Sequence, residues 1–315
     1  MAGRHGLFAA VILAMIVGVA PPGAALAQDG TPAAQADDAA AALEATTQKF
    51  NAYIEFMNRT LRASESLDRY KSWVNMKTGP TGRESIIYGL YEPYDTQSEE
   101  AAATAALTKP PSLPDLDSAM RDYIAANAAL APILREANGY YERADYKTDK
   151  MAGGKALHPR IVAAAGPFLA ARAHLETVMR AEKAKVDDLR LAAIEKREGR
   201  KANWHVANIM MKAQRIVDML PSDAQPVIDI AAFDAAMADF GAAVKDMDGY
   251  SAAHPNSFSA FESEPRELLS QLRDLQQALD RAKGDGRRAN ADTTWIVNDY
   301  NMMVTTSQSA TIFNH

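Results

Sequence analysis

Between Leu157 and Val178 the apolar residues Leu157, Ile161, Ala164, Phe168, Ala171, Leu175 and Val178 recur at alternating steps of four and three. Only an α-helix gathers such a series onto one side, and that side is stable only when other helices cover it. Val186, Leu189 and Ala193 carry the series on after a slip. The spacing therefore predicts one helix to about Glu198, with Gly166-Pro167 as a bend. A seam this long calls for partners of comparable length, and no period-2 run suggests a strand between Leu43 and Phe313. The expected fold is all-α, an elongated antiparallel helical bundle with long helices. Ile161, Phe168 and Leu175 should be buried in it, and Arg172, off their stripe, should matter far less.

A second signal occurs twice. Gly139-Tyr140 is followed by His158-Pro159, and Gly249-Tyr250 by His254-Pro255. Glycine favours helix ends and proline helix starts, so each set reads as the turn of a helical hairpin. At an offset of 110 the preceding segments pair Tyr123 with Phe233, Leu130 with Phe240 and Leu134 with Val244. This is a weak internal duplication, with possible sub-bundles at 43–198 and 199–315. Further helices are expected over about 43–75, 116–138, 201–220, 228–248, 264–282 and 292–312. Trp73 to Asp95 breaks the pattern at Gly79-Pro80-Thr81-Gly82, and the proline-bearing stretch 96–114 reads as a crossover.

The first 27 residues have the form of a secretory signal peptide: Arg4 and His5, an apolar run from Leu7 to Val19, then Ala25-Leu26-Ala27. Cleavage after Ala27 is expected, placing the chain in the periplasm, with residues 28–42 as a flexible tether and 43–315 as the helical-bundle domain. No other stretch is apolar enough to span a bilayer. With no cysteine in the chain, disulfides, thiolate metal sites and N-terminal lipidation are excluded. A net charge of -6 argues against nucleic acid as a partner.

No catalytic constellation is visible. The six histidines do not cluster, no H-E-x-x-H or G-x-S-x-G motif occurs, and the acidic pairs Asp187-Asp188 and Glu262/Glu264 suit solvated helix ends. Met210-Met211, Met237 and Met302-Met303 fit core packing better than a thioether metal site. Neither a metal nor a cofactor is therefore expected. The Gly79-Pro80-Thr81-Gly82 turn, if it led into a helix, would offer backbone N–H groups to an anion, although a tight turn capped by Thr81 explains it as well. The stretch after Gly139 mixes aromatic and charged residues without periodicity. It makes Tyr140, Tyr141, Asp145, Tyr146, Lys147 and His158 the candidate binding residues. Two functions fit these features: a non-catalytic binding or scaffolding protein with an unknown partner, or a small-ligand or metal-binding protein, enzymatic or not, with its site in the Tyr140 to His158 insert.

Several local sequences resemble the YiiG-like family of bacterial envelope proteins, a domain of unknown function. They are Phe50-Asn51-Ala52-Tyr53-Ile54 with Asn58, Trp73-Val74-Asn75-Met76-Lys77 with Gly79-Pro80-Thr81-Gly82-Arg83-Glu84, Tyr141-Glu142 with Asp145-Tyr146-Lys147, Lys155 with Leu157-His158, and Tyr300-Asn301. The resemblance covers roughly 43–313 and implies an all-helical envelope protein without established catalytic residues. Many relatives are anchored by a lipid on cysteine, and the lack of cysteine here implies a soluble periplasmic form. Intact mass of the periplasmic protein should show a chain beginning at Gln28; a chain retaining Met1 to Ala27 in the membrane would make the leader an anchor.

Overall fold

The computed structural model of the protein describes residues 32–221 and 226–312. The leader expected over 1–27 lies outside them. Among the described residues nine α-helices follow in order: α1 Pro32–Arg59, α2 Leu61–Lys71, α3 Gln97–Ala106, α4 Pro114–Glu142, α5 Ala152–Glu198, α6 Ala202–Val217, α7 Ile230–Ala253, α8 Glu264–Arg281 and α9 Thr294–Ile312. Among the described residues there is no strand, only an isolated bridge between Val227 and Asp285. The fold is all-α. The chain forms two compact units that divide between Val186 and Asp187, and α5 contributes to both.

In the first unit, α1 begins at Pro32, inside the stretch expected to be a tether. The alanines that deny this stretch a core are also the strongest helix formers, and proline suits a first helical position. The single helix expected over 43–75 is interrupted at Thr60, whose hydroxyl donates back to the Phe56 and Met57 carbonyls. A hydroxyl bonding backward in this way competes with regular helix geometry. The expected crossover contains α3, an alanine-rich helix with Glu99 and Glu100 in its first turn and Ala103 and Ala106 buried. Acidic residues at that end complement the helix dipole.

Phe50, Tyr53, Phe56, Leu67, Tyr70, Tyr123, Leu134 and Phe168 fill the core of this unit. Within the core lies a buried ion pair that sequence periodicity cannot reveal. Lys49 Nζ donates to both oxygens of Asp117 at 3.0 and 3.1 Å, Tyr53 Oη donates at 2.6 Å, and the Leu113 amide at 3.1 Å. The carboxylate is thus satisfied on every side, which a buried charge requires.

Ile161, Phe168 and Leu175 are fully buried, as the seam predicts. Arg172 corrects the expectation placed on it. Its Nη1 donates to Tyr123 Oη at 2.9 Å and to the Met57 carbonyl at 3.0 Å, and its Nε pairs with Glu176. It lies beside the stripe, yet it closes a polar network in the core.

The second unit holds α6 to α9, with α6 against α7 and α9, and α8 against α7 and α9. The three apolar pairs at the offset of 110 are buried in both copies, Tyr123 and Phe233, Leu130 and Phe240, Leu134 and Val244, whereas Asp248, Gly249 and Tyr250, which correspond to Asn138, Gly139 and Tyr140, are not buried. The duplication therefore fixes the register of α4 and α7. Its punctuation is misplaced. Both helices run past their glycines, to Glu142 and Ala253, because a glycine in helical conformation weakens a helix without ending it. Left-handed residues follow the true ends, Ala144 at φ 57° and Asn256 at φ 69°. His158-Pro159 falls inside α5, and His254 caps the end of α7. Leu189 and Ala193, expected to extend the seam, are exposed.

Phe168→Ala should cost about 3 to 5 kcal/mol in urea unfolding. Arg172→Ala should cost about 1 to 3 kcal/mol, since it strips a donor from buried oxygens. A loss under 0.5 kcal/mol for Arg172→Ala would show that the network contributes nothing.

Candidate functional site

From Trp73 to Thr96 the chain runs without a helix or strand, and helix α3 does not begin until Gln97. Gly79-Pro80 and Pro93 disfavour a helix here, so the backbone oxygens need other partners. Side chains of α1 and α2 and of Trp73 supply them. Arg59 Nε donates to the Asp95 carbonyl at 2.8 Å, Ser66 Oγ to Tyr91 at 2.9 Å, Arg69 Nε to Tyr88 at 2.8 Å and Trp73 Nε1 to Gly89 at 2.9 Å. The Arg62 and Arg69 guanidinium groups lie 3.9 and 4.3 Å from the Tyr91 ring centre, and Arg59 lies 4.7 Å from that of Tyr94. Cations over ring faces at these distances are attracted to the ring quadrupole. The result is an irregular but pinned strap.

The strap also packs on the 140–158 insert through glycines in the left-handed region. A Cβ on Gly79, at φ 76°, would stand 2.9 Å from His158 Cδ2, and one on Gly89, at φ 67°, 3.3 Å from Tyr141 Cβ. Neither position has room or conformational tolerance for a side chain.

The anion reading of Gly79-Pro80-Thr81-Gly82 meets a direct answer. Glu84 fills the turn with its own carboxylate, accepting from the Thr81 amide at 2.6 Å, the Gly82 amide at 2.8 Å and Thr81 Oγ1 at 2.9 Å. Partial burial acts to raise the Glu84 pKa, but these donors outweigh it and hold the carboxyl below its usual range.

The candidate residues of the insert separate into two groups. Tyr140, Tyr141, Tyr146 and His158 come together. Tyr141 meets Trp73, Tyr140 and Tyr146 at ring-centre distances of 5.1, 5.0 and 6.2 Å, and Tyr70 Oη lies 3.1 Å from His158 Nδ1. Asp145 instead pairs with Arg143 at 2.8 Å, and Lys147 is exposed. Tyr140 and Tyr141 are only 7% and 6% exposed, which overturns the expected surface of exposed aromatics. Burial pushes the Tyr141 hydroxyl pKa up and raises that of Tyr70 to about 12. The Tyr70 hydroxyl acts on Tyr141 electrostatically, yet the Tyr141 hydroxyl has no hydrogen bond of good geometry.

Tyr140 Oη donates to Asp149 at 2.9 and 3.1 Å, and the Gly153 amide donates to the same carboxylate at 2.8 Å. The Gly153 amide, with the Tyr140 hydroxyl, holds the Asp149 pKa below its usual value. Because Met151 is fully buried within this insert, removing 143–153 would open the core rather than trim a loop.

Three exposed apolar groups lie on the strap, while Val162, Leu189, Val227, Trp295 and Met302 are exposed on other elements. Ile86, Tyr88 and Tyr94 are 55%, 49% and 47% exposed. Ile86 and Tyr88 fall in the aromatic-rich run from Arg83 to Tyr91, and Tyr94 follows it. No group of three His, Asp or Glu side chains capable of holding a metal occurs among the described residues, and no described helix is long and apolar enough to cross a membrane.

The family described as "Protein of unknown function (DUF3829)" matches residues 44–313, the whole of both units apart from the first turns of α1. The chain belongs to that family. It is similar to "Uncharacterized protein YiiG" of Escherichia coli (strain K12), with 27% identity over 286 residues, covering 89% of this chain and 80% of that protein. No solved structure matches.

Two glycines of α5 separate the tight insert from ordinary helix. A Cβ on Gly153 would sit 2.5 Å from Tyr140 Cε2, whereas nothing lies within 4 Å of one on Gly166. Gly153→Ala should destabilise by about 1 to 3 kcal/mol and Gly166→Ala should stabilise by about 0.5 to 1 kcal/mol in thermal unfolding. Equal shifts would mean that the insert is loosely packed.

Proposed function

We propose that the protein is an exported, non-catalytic binding or scaffolding protein of the cell envelope, and that the strap is its contact surface. One observation carries this reading: a segment without helix or strand presents Ile86, Tyr88 and Tyr94 while helix side chains hold its backbone. Exposed aromatics on a segment already ordered bind with little further loss of conformational freedom, which is how recognition surfaces gain affinity. Arginines beneath the rings add directional donors. The leader and the absence of cysteine support a soluble periplasmic location. The alternative site for a small ligand, inside the Tyr140 to His158 insert, loses support because those side chains fill the space against one another and against the strap glycines.

A photo-crosslinking amino acid at exposed Glu92 tests the surface in intact cells. Crosslinks should form there and not from the same group at exposed Thr177. Adding Ile86→Ser, Tyr88→Ser and Tyr94→Ser should abolish them while the melting temperature stays within a few degrees. Undiminished crosslinking in that folded variant would reject the strap as the contact surface.

A further inference from the structure

His205, near the start of α6, is 6% exposed, and its Nδ1 is buried without a hydrogen-bond partner. Its ring sits among aromatic rings: Trp204 at 5.1 Å, Tyr250 at 4.9 Å and Phe258 at 6.2 Å between centres. These come from α6, from the end of α7 and from the turn that leads to α8. The neighbouring Trp204 Nε1 is also buried without a partner. A neutral imidazole serves such a cage as an apolar plug. An imidazolium there carries a charge and two N–H donors into a site offering them little, which is costly.

We infer that His205 is a pH-operated latch of the second unit: protonation of its ring in mild acid releases the corner where α6, the end of α7 and the Phe258 turn meet. The charged neighbours do not remove the cost. Asp246 of α7 and the Arg200 backbone favour the cation, but burial opposes it more strongly and the Arg200 side chain adds to the opposition, so the pKa of His205 is lowered. Glu262, at the 3₁₀ turn, is engaged by Ser251 and Arg266, and Asp248 of α7 by the same Arg266 of α8. On α9, Asp299 accepts from Gln271 and Tyr300 donates to Gln214. The other nearby histidine, His254, is exposed and stacked on Tyr250 at 4.2 Å, with Nδ1 3.1 Å from the Tyr250 carbonyl.

The sign follows from proton linkage. A histidine whose folded pKa lies below its unfolded value binds more protons unfolded. The stability it permits is intact above about pH 6.5 and is lost as the pH falls below that, by up to about tenfold in the folded-to-unfolded ratio per pH unit until the folded pKa is reached. The aromatic cage makes the loss local to this corner before it is global.

The test uses the full mature chain labelled with 5-fluorotryptophan, which reports Trp204 separately from Trp73 and Trp295. Between pH 7.5 and 5.5 the Trp204 fluorine signal should shift and the urea midpoint should fall. His205→Phe, which keeps an aromatic plug, should abolish the shift and most of the fall, while His254→Phe should retain both. Direct NMR titration of the His205 ring in the unsubstituted chain covers the case in which His205→Phe does not fold, and should place its midpoint below the ordinary histidine value. A pH response unchanged in folded His205→Phe, or a ring that titrates at or above that value, overturns the latch.

Discussion

Arg172 Nη1 donates to the Tyr123 hydroxyl at 2.9 Å, and Thr60 Oγ1 lies 2.5 Å from the same oxygen. Arginine can only donate, and the Thr60 hydrogen goes back to a carbonyl of α1, so the Tyr123 hydrogen must point at Thr60. The direction of the whole chain of bonds is thereby set. Three helices, α1, α4 and α5, meet at one phenol, and they meet where α1 gives way to α2. An interrupted helix normally leaves carbonyls without partners. Here Thr60 and Arg172 take up those of Phe56 and Met57, so the break is stable and buried.

That break is what gives the strap its support. Past Thr60, α2 presents Arg62, Ser66 and Arg69 along one side at helical spacings of four and three, and each engages the strap, Ser66 and Arg69 at its carbonyls and Arg62 over Tyr91. A segment with no ladder of its own ordinarily pays for order in conformational entropy. In this protein the cost is offset from two directions: side-chain donors from α2 and Trp73 below, and close glycine contacts with the insert beside it. The same two supports explain the exposed groups. With the carbonyls turned toward the helices, Ile86, Tyr88 and Tyr94 are left facing solvent.

Much of the helical layout was legible because periodicity reports burial directly. The series through Ile161, Phe168 and Leu175 and the offset pairs of α4 and α7 identify core positions without any knowledge of what they touch. The polar elements were not legible in this way. Arg172 lies next to the stripe and looked dispensable, while Lys49 and Asp117 are 68 residues apart and look like ordinary surface charges. Nothing local in sequence says that two charges will be buried together. Tyr140 and Tyr141 failed for the opposite reason. Their setting among charged residues suggested a surface, but the pairing of Tyr140 with Asp149 and the glycines at 153 and 154 make room for rings inside. The family membership was legible from local sequences that include Trp73, Gly79 and Glu84, which the structure shows to be the fixed points of the strap and its turn.

The two related helices, α4 and α7, show where a repeated plan is constrained and where it is free. Along their length the pairs Tyr123 and Phe233, Leu130 and Phe240, and Leu134 and Val244 remain large and apolar or aromatic, because each side chain must fill a space set by neighbouring helices, whereas buried Asn127 and Ala137 correspond to the larger Met237 and Met247. At their ends the constraint lapses. Tyr140 turns its hydroxyl to Asp149, whereas Tyr250, its counterpart, packs between ring contacts with His205, His254 and Phe258. Tyr141 corresponds to Ser251, which hydrogen-bonds Glu262 in place of an aromatic cluster. An aromatic at the first position is kept in both corners because it closes the helix end. What it closes against differs: a glycine-rich strap and insert in one unit, a buried histidine in the other. A core position must be filled by what its neighbouring helices leave open, while a corner accepts any partner that seals it, so properties specific to this protein belong in the corners.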